Sequence, residues 1–206
     1  MLRCKSWALA LLSSLCACGA GSVHPFYRSS ELVFDSALVG LWADSSSGER
    51  AVFSENGGQY QITYSVPAPA IGMAVNTDRK QAVFVGRLFR LGEGIAMDVS
   101  PGTLPDSVSR TVPNEYWSLM LPLHTVFWLI LRDNRLAFAS LEPDSLKAYL
   151  RRHPQAIGHA LVDSTLVLTA PTRELQSFVL AYRRRQHVLA DTTVWWRSGA
   201  ERAAPH

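Results

Sequence analysis

The residues able to do covalent or metal chemistry are few and unevenly placed. All three cysteines, Cys4, Cys16 and Cys18, lie within the first eighteen positions. His153 and His159 straddle Pro154 and an expected helix end, so they share no face, and no His-Glu-x-x-His or paired cysteines occur to hold a metal. His24 sits beside Pro25, and His124 heads an apolar run, where it is either a satisfied core histidine or a cavity-lining one. No Gly-x-Ser-x-Gly elbow and no Ser-x-x-Lys provides an activated serine. The hydroxyls of Asp44–Glu49 (DSSSGE) read as a turn. Asp98 follows Gly-Ile-Ala-Met on an expected strand, pointing either outward into solvent or inward, where burial would raise its pKa. Gly92-Glu93-Gly94 lacks the helix and lysine of a phosphate cradle. These residues suggest no catalytic constellation, no metal and no cofactor, so the expected protein is not an enzyme.

The cysteines read instead as an address. Arg3 and Lys5 precede a short apolar core, Trp7–Leu15. At ~1.5 Å per helical residue this core covers about half of a ~30 Å hydrocarbon layer, so it is a secretory leader and not a span. Leu15-Cys16-Ala17-Cys18 resembles the lipobox of bacterial lipoproteins. That resemblance implies cleavage after Ala17 and a diacylglycerol thioether on Cys18. The competing frame, with Cys16 as acceptor, puts bulky Leu15 before the cut; ordinary cleavage after Ala17 or Ala20 is the remaining alternative. The resulting division is leader 1–17, lipidated Cys18 with a short tether to residue 23, one domain over 24–198 and a frayed tail 199–206. Cys4 and Cys16 would leave with the leader, and the exported domain would have neither a free thiol nor a disulfide. Two or more acyl chains hold a protein firmly to a bilayer. Gly19, where an Asp would signal retention, points to the outer membrane and a domain facing the periplasm.

The chain has 206 residues, 48% apolar and 18% charged. Charged residues are below the usual ~25%, which suggests a large core or a used apolar surface. Loss of Arg3 and Lys5 takes the formal charge from +3 to +1, which leaves no electrostatic case for nucleic acid.

The elements that would position any site are mostly strands. Three hairpins are expected, turning at Glu55–Gly58, at Gly92–Gly94 and near Asp133-Asn134. His124–Leu131 is apolar without alternation and should be covered on both faces. Two helices follow. Glu142–Pro154 has Asp144 as a possible N-cap, and Pro171–Arg185 has Thr172 as N-cap and a Leu175, Phe178, Val179, Tyr182 stripe. A strand at Ser164–Ala170 lies between them and another at Thr192–Ser198 after them. The fold class is mainly β (α+β): an antiparallel barrel or strongly curved sheet of about eight to ten strands, with two C-terminal helices packed on it. Val66–Asp78 and Ser100–Tyr116 are long proline-rich loops, and loops of that length usually have a role.

Gly40-Leu41-Trp42 at the start of the first strand, followed by successive hairpins, resembles lipocalin-type barrels, in which such a Trp plugs the closed end. The resemblance implies a cavity for an apolar small molecule. Trp42, Phe84, Phe127, Trp128 and His124 are the candidate lining residues. The stretches HPFY…ELVFDSALVGLW, LPLHTVFW and NRLAFASLEPDSLKAYLRRHP are similar to a group of small uncharacterised bacterial lipoproteins, which supports the anchor and carries no activity. Arg183, Arg184 and Arg185 suit the negative end of a helix, and are also candidates for contact with anionic lipid heads. Trp195-Trp196-Arg197 could likewise sit at a membrane interface. The expected function is a non-catalytic binding module for an apolar small molecule or lipid; the alternative is a structural or assembly protein docked on another envelope component. Cys18→Ser is expected to move the protein from the membrane pellet to the soluble fraction and to abolish incorporation of labelled palmitate.

Overall fold

The computed structural model describes residues 20–67, 79–102, 122–162, 165–185 and 192–198. The leader, Cys18, most of the two proline-rich loops and the tail 199–206 lie outside them.

The hairpins begin with local turn chemistry. Strands β3 (Arg50–Asn56) and β4 (Gln59–Pro67) are joined by Gly57-Gly58, with φ of 61° and 77°. Two successive positive φ angles match the right-handed twist of paired strands, and glycine adopts them without steric cost. The same end of the molecule holds the turns of two more hairpins: β5 (Arg79–Leu91) with β6 (Gly94–Pro101), and β7 (Thr125–Arg132) with β8 (Arg135–Ser140). Strands β2 (Gly40–Ala43) and β11 (Thr193–Arg197) complete a closed barrel in the order β11-β2-β3-β4-β5-β6-β7-β8, every neighbour antiparallel. The described residues are thus mostly β, with a closed eight-stranded antiparallel barrel and two α-helices.

A second, three-stranded sheet stands beside the barrel in the order β1-β10-β9, with β1 (Gly21–Ser22), β9 (His159–Val162) and β10 (Thr165–Leu168). β1 runs parallel to β10, the one parallel pairing among the described strands. Gly21 and Ser22 were expected in a short tether; they are buried strand residues.

The N-cap of helix α1 (Pro143–Arg152) lies two residues earlier than expected. Glu142, not Asp144, holds that position and accepts from the Asp144 and Ser145 N–H groups. Burial pushes the Glu142 carboxyl up, but those bonds and Lys147 outweigh it and hold the group below the usual carboxylate range. Helix α2 (Thr172–Arg183) has Pro171 at the cap position, and Thr172 lies inside, where its hydroxyl donates to the Pro25 carbonyl at 2.8 Å.

Two apolar clusters lie on opposite faces of the barrel wall. Inside are Trp42, Phe53, Tyr60, Ile62, Tyr64, Leu88, Met97, Leu136 and Trp195. Outside, Phe89, Ala96, Val126 and Trp128 of β5–β7 share a cluster with Leu146 and Leu150 of α1, Leu175 and Val179 of α2, Leu168 of β10 and Phe26. Strand β7 is therefore apolar on both faces as far as Trp128; Ile130, the next outward position, is 56% exposed.

The hairpin end is plugged from within. Trp42 is fully buried, and its Nε1 donates to the Leu38 carbonyl at 2.8 Å, at the end of a 3-10 turn over Ser36–Leu38. The Arg197 guanidinium lies 4.4 Å over the Trp42 ring and donates to the carbonyls of Val39, at 2.9 Å, and Ala37. Gly40 makes room for it: φ is 136°, and a Cβ there would lie 2.6 Å from Arg197 Nη1. Arg197→Ala is expected to cost about 2 kcal/mol in urea unfolding, from lost stacking and two charge-assisted bonds; Arg197→Lys should recover less than half, because an ammonium cannot reproduce the fork.

Candidate functional site

A cleft of about 450 Å³ opens at the hairpin end of the barrel. Its floor is the last inward-facing stretch of three strands: Leu88 of β5, Ile95 of β6, and Leu129 and Leu131 of β7. Its other wall is the segment before β2, which supplies Val33, Phe34, Asp35 and Leu38. That segment is fixed to the barrel at several points. Leu32 bridges Phe89, and the Val33 N–H donates to the Leu88 carbonyl at 2.9 Å. Phe34 stacks on Tyr60 with centroids 5.0 Å apart and planes 17° apart. The Tyr60 hydroxyl accepts from the Asp35 N–H at 2.8 Å and donates to the Asp35 carbonyl at 2.9 Å. Burial pushes the Tyr60 phenol up, so it stays a neutral donor.

Charge at the cleft comes from two residues. Asp35 Oδ1 accepts from the Ala37 N–H at 2.9 Å and caps the 3-10 turn. Arg90 is exposed, and no hydrogen bond, ion pair or ring contact engages its guanidinium among the described residues. Among the described residues the arrangement is an apolar trough with one capped carboxylate and one unengaged guanidinium. Its shape and lining can hold an apolar chain.

None of the five lining residues expected from sequence borders this cleft. Trp42 and Phe84 belong to the interior cluster, deeper in the barrel. Phe127 meets Phe138 of that cluster edge-on at 5.9 Å. Trp128 points to the opposite face, into the cluster shared with the helices, and Arg183 lies 5.2 Å over its ring. Arg185 lies 4.7 Å over Tyr149, and Arg184 caps α2. The cleft residues Val33, Phe34 and Arg90 were not singled out in the sequence. Alternation along β5, where Leu88 and Arg90 share one face and Phe89 and Leu91 the other, was the available signal.

His124 is joined to Asp98, which the sequence offered separately. His124 Nδ1 meets Asp98 Oδ1 at 2.7 Å, and Asp98 Oδ2 accepts from the Phe26 N–H at 2.8 Å. Asp98 is neither solvated nor in the lumen: it is fully buried on the outer wall. The carboxylate is an acceptor, so Nδ1 carries the proton in this pair. His124 and Ser22 also exchange two backbone bonds of 2.8 Å, and Gln176 Nε2 donates to the Phe26 carbonyl at 2.9 Å. The constellation clamps residues 22–26 to the wall. Among the described residues no three His, Cys, Asp or Glu side chains gather as a metal set.

Elsewhere, Glu49 has a buried Oε2 with no hydrogen-bond partner among the described residues. Burial pushes its carboxyl up, the Tyr64 hydrogen bond opposes this, and Asp44 adds to it.

Comparison of the chain with family models, with curated proteins and with solved structures found no match in any of the three. The functional reading therefore rests on the geometry.

Two outcomes follow. Asp98→Ala leaves a buried N–H and a half-buried ring donor unpaired, and is expected to cost about 2 kcal/mol in urea unfolding and to speed protease cutting within residues 23–34. Glu49 has a folded pKa above its unfolded one, so the native state keeps a proton the unfolded state has lost. Stability therefore falls as pH rises from the ordinary glutamate range through the raised value. Glu49→Gln should melt higher than the parent at about pH 7 and together with it at about pH 4.

Proposed function

We propose that the protein is a lipid-anchored lipoprotein of the bacterial envelope whose barrel binds an apolar small molecule or lipid without turning it over. The observation that carries this reading is the cleft of about 450 Å³ at the hairpin end of the closed barrel, beside the Trp42 plug, lined mainly by apolar side chains. Ligand sites typically enclose roughly 300–1,000 Å³ and combine an apolar lining with a few polar groups. The lipocalin-type resemblance is supported by the up-and-down pairing of the barrel strands and by the burial of Trp42 at the hairpin end.

The anchor has a geometric consequence. Ala20 is buried in the outer cluster, and Ser22 pairs with His124, where β7 begins. Cys18 precedes Ala20 by two residues, a reach of about 7 Å. The bilayer would then meet the barrel near the start of β7, while the cleft lies six residues along that strand, about 20 Å away. Arg183 lies by Gly94 at the hairpin end, so in this orientation the arginines of α2 sit far from the membrane. The cleft is left facing the periplasm.

The second reading, a docking protein, is favoured by Val52 and Trp196, which are 39% and 45% exposed on the barrel wall away from the helices.

Native mass spectrometry of the full chain from its own membranes tests the binding reading. A co-purifying small molecule is expected, and Leu129→Arg, which puts a charge on the cleft floor, should lose it. A bare parent mass overturns the reading.

A further inference from the structure

We propose that the cleft takes a single-chain amphiphile with an anionic head, and that Arg90 holds the head. The inference rests on the reading that the cleft binds an apolar ligand. Register places the cation: Arg90 follows Leu88 on the inner face of β5 and lies directly opposite Ile95. Along β5 the cleft therefore passes outward from Leu88 to one guanidinium, level in the ladder with Ile95 and Leu129. A chain lying on the leucines would bring its end group to that guanidinium.

The charges present favour an anion there. Arginine stays protonated at any physiological pH, and its planar fork matches carboxylate and phosphate oxygens. A neutral or cationic head would cover the guanidinium without replacing its water, which costs free energy. The opposing charge, Asp35, has one oxygen engaged with the Ala37 N–H at the start of the 3-10 turn. Three other arginines are engaged: Arg28 by Glu31, Arg183 by Trp128 and Arg197 by Trp42. Among the described residues nothing bonds the Arg90 guanidinium. The volume lies at the low end of the usual ligand range, which suits one acyl chain better than two. A free fatty acid and a single-chain phospholipid share this chemistry.

The test is photo-crosslinking of the full chain in zwitterionic vesicles, with diazirine-bearing dodecanoate, dodecyl phosphate and dodecanol, and the labelled peptides mapped. Labelling is read as the ratio of parent to Arg90→Gln, which cancels each probe's partition into the vesicles. Arg90 is exposed, so the variant keeps the fold. The acids should label peptides containing Val33, Leu88 or Leu129 roughly ten-fold more in the parent than in the variant, as expected for one lost charge-assisted contact. Dodecanol should give a ratio near one. The larger of the two acid ratios distinguishes a fatty acid from a phospholipid source. Acid ratios near one, with the cleft still labelled, overturn the head-group assignment and leave the cleft reading intact. No labelling of the cleft by any probe overturns both.

Discussion

One five-residue strand closes the barrel. β11 returns after both helices and pairs on one side with β8 and on the other with β2. Without it, β8 and β2 would each present a row of unpaired backbone groups, an invitation to pair with other chains. The closing strand also carries both ends of the plug. Trp195 packs in the lumen, edge-on to Phe138 at 5.0 Å, and Arg197 lies on Trp42 while bonding the carbonyls before β2. Closure joins residues about 150 positions apart, so its loop entropy must be offset by this packing. Long-range pairings of this kind also slow folding.

The second dependence runs through the chain between Ala20 and Leu38. It begins as β1 against β10, crosses the outer wall under the Asp98–His124 clamp, bridges β5 at Leu32, and ends as the wall of the cleft. The segment that would carry the lipid anchor at one end thus shapes the candidate ligand site at the other. Its contacts are a few hydrogen bonds, the Phe34–Tyr60 stack and four small or isolated buried side chains, Ala20, Ser22, Phe26 and Leu38. It is therefore a segment that can open locally at less than the global cost.

The parts legible in the sequence are those set by local chemistry. Gly57-Gly58 specifies a tight turn on its own, and the apolar run at Val126–Trp128 announces burial on both faces. The stripe of α2 likewise reads directly, since Leu175 and Val179 sit in the outer cluster. What could not be read depends on partners distant in sequence. His159–Val162 is four residues with three exposed side chains, and it becomes a strand through pairing with β10. Asp98 reads as a surface carboxylate until Phe26 and His124 are brought to it. Alternation puts Phe127 and Trp128 on opposite faces, so they could not both line one cavity. The cleft was hidden for the same reason: β5, β6, β7 and the segment before β2 each contribute one edge, and no short motif spans them.

The central claim is that β11 completes the barrel and is as firmly held as its neighbours. Residue-resolved hydrogen exchange under native conditions tests it most directly. The interstrand-bonded amides of Thr193–Arg197 should exchange with the same free energy as those of β7 and β8, near that of global unfolding. Exchange of β11 many-fold faster, with β7 and β8 still protected, would show an open sheet with a loosely attached strand and would contradict the account.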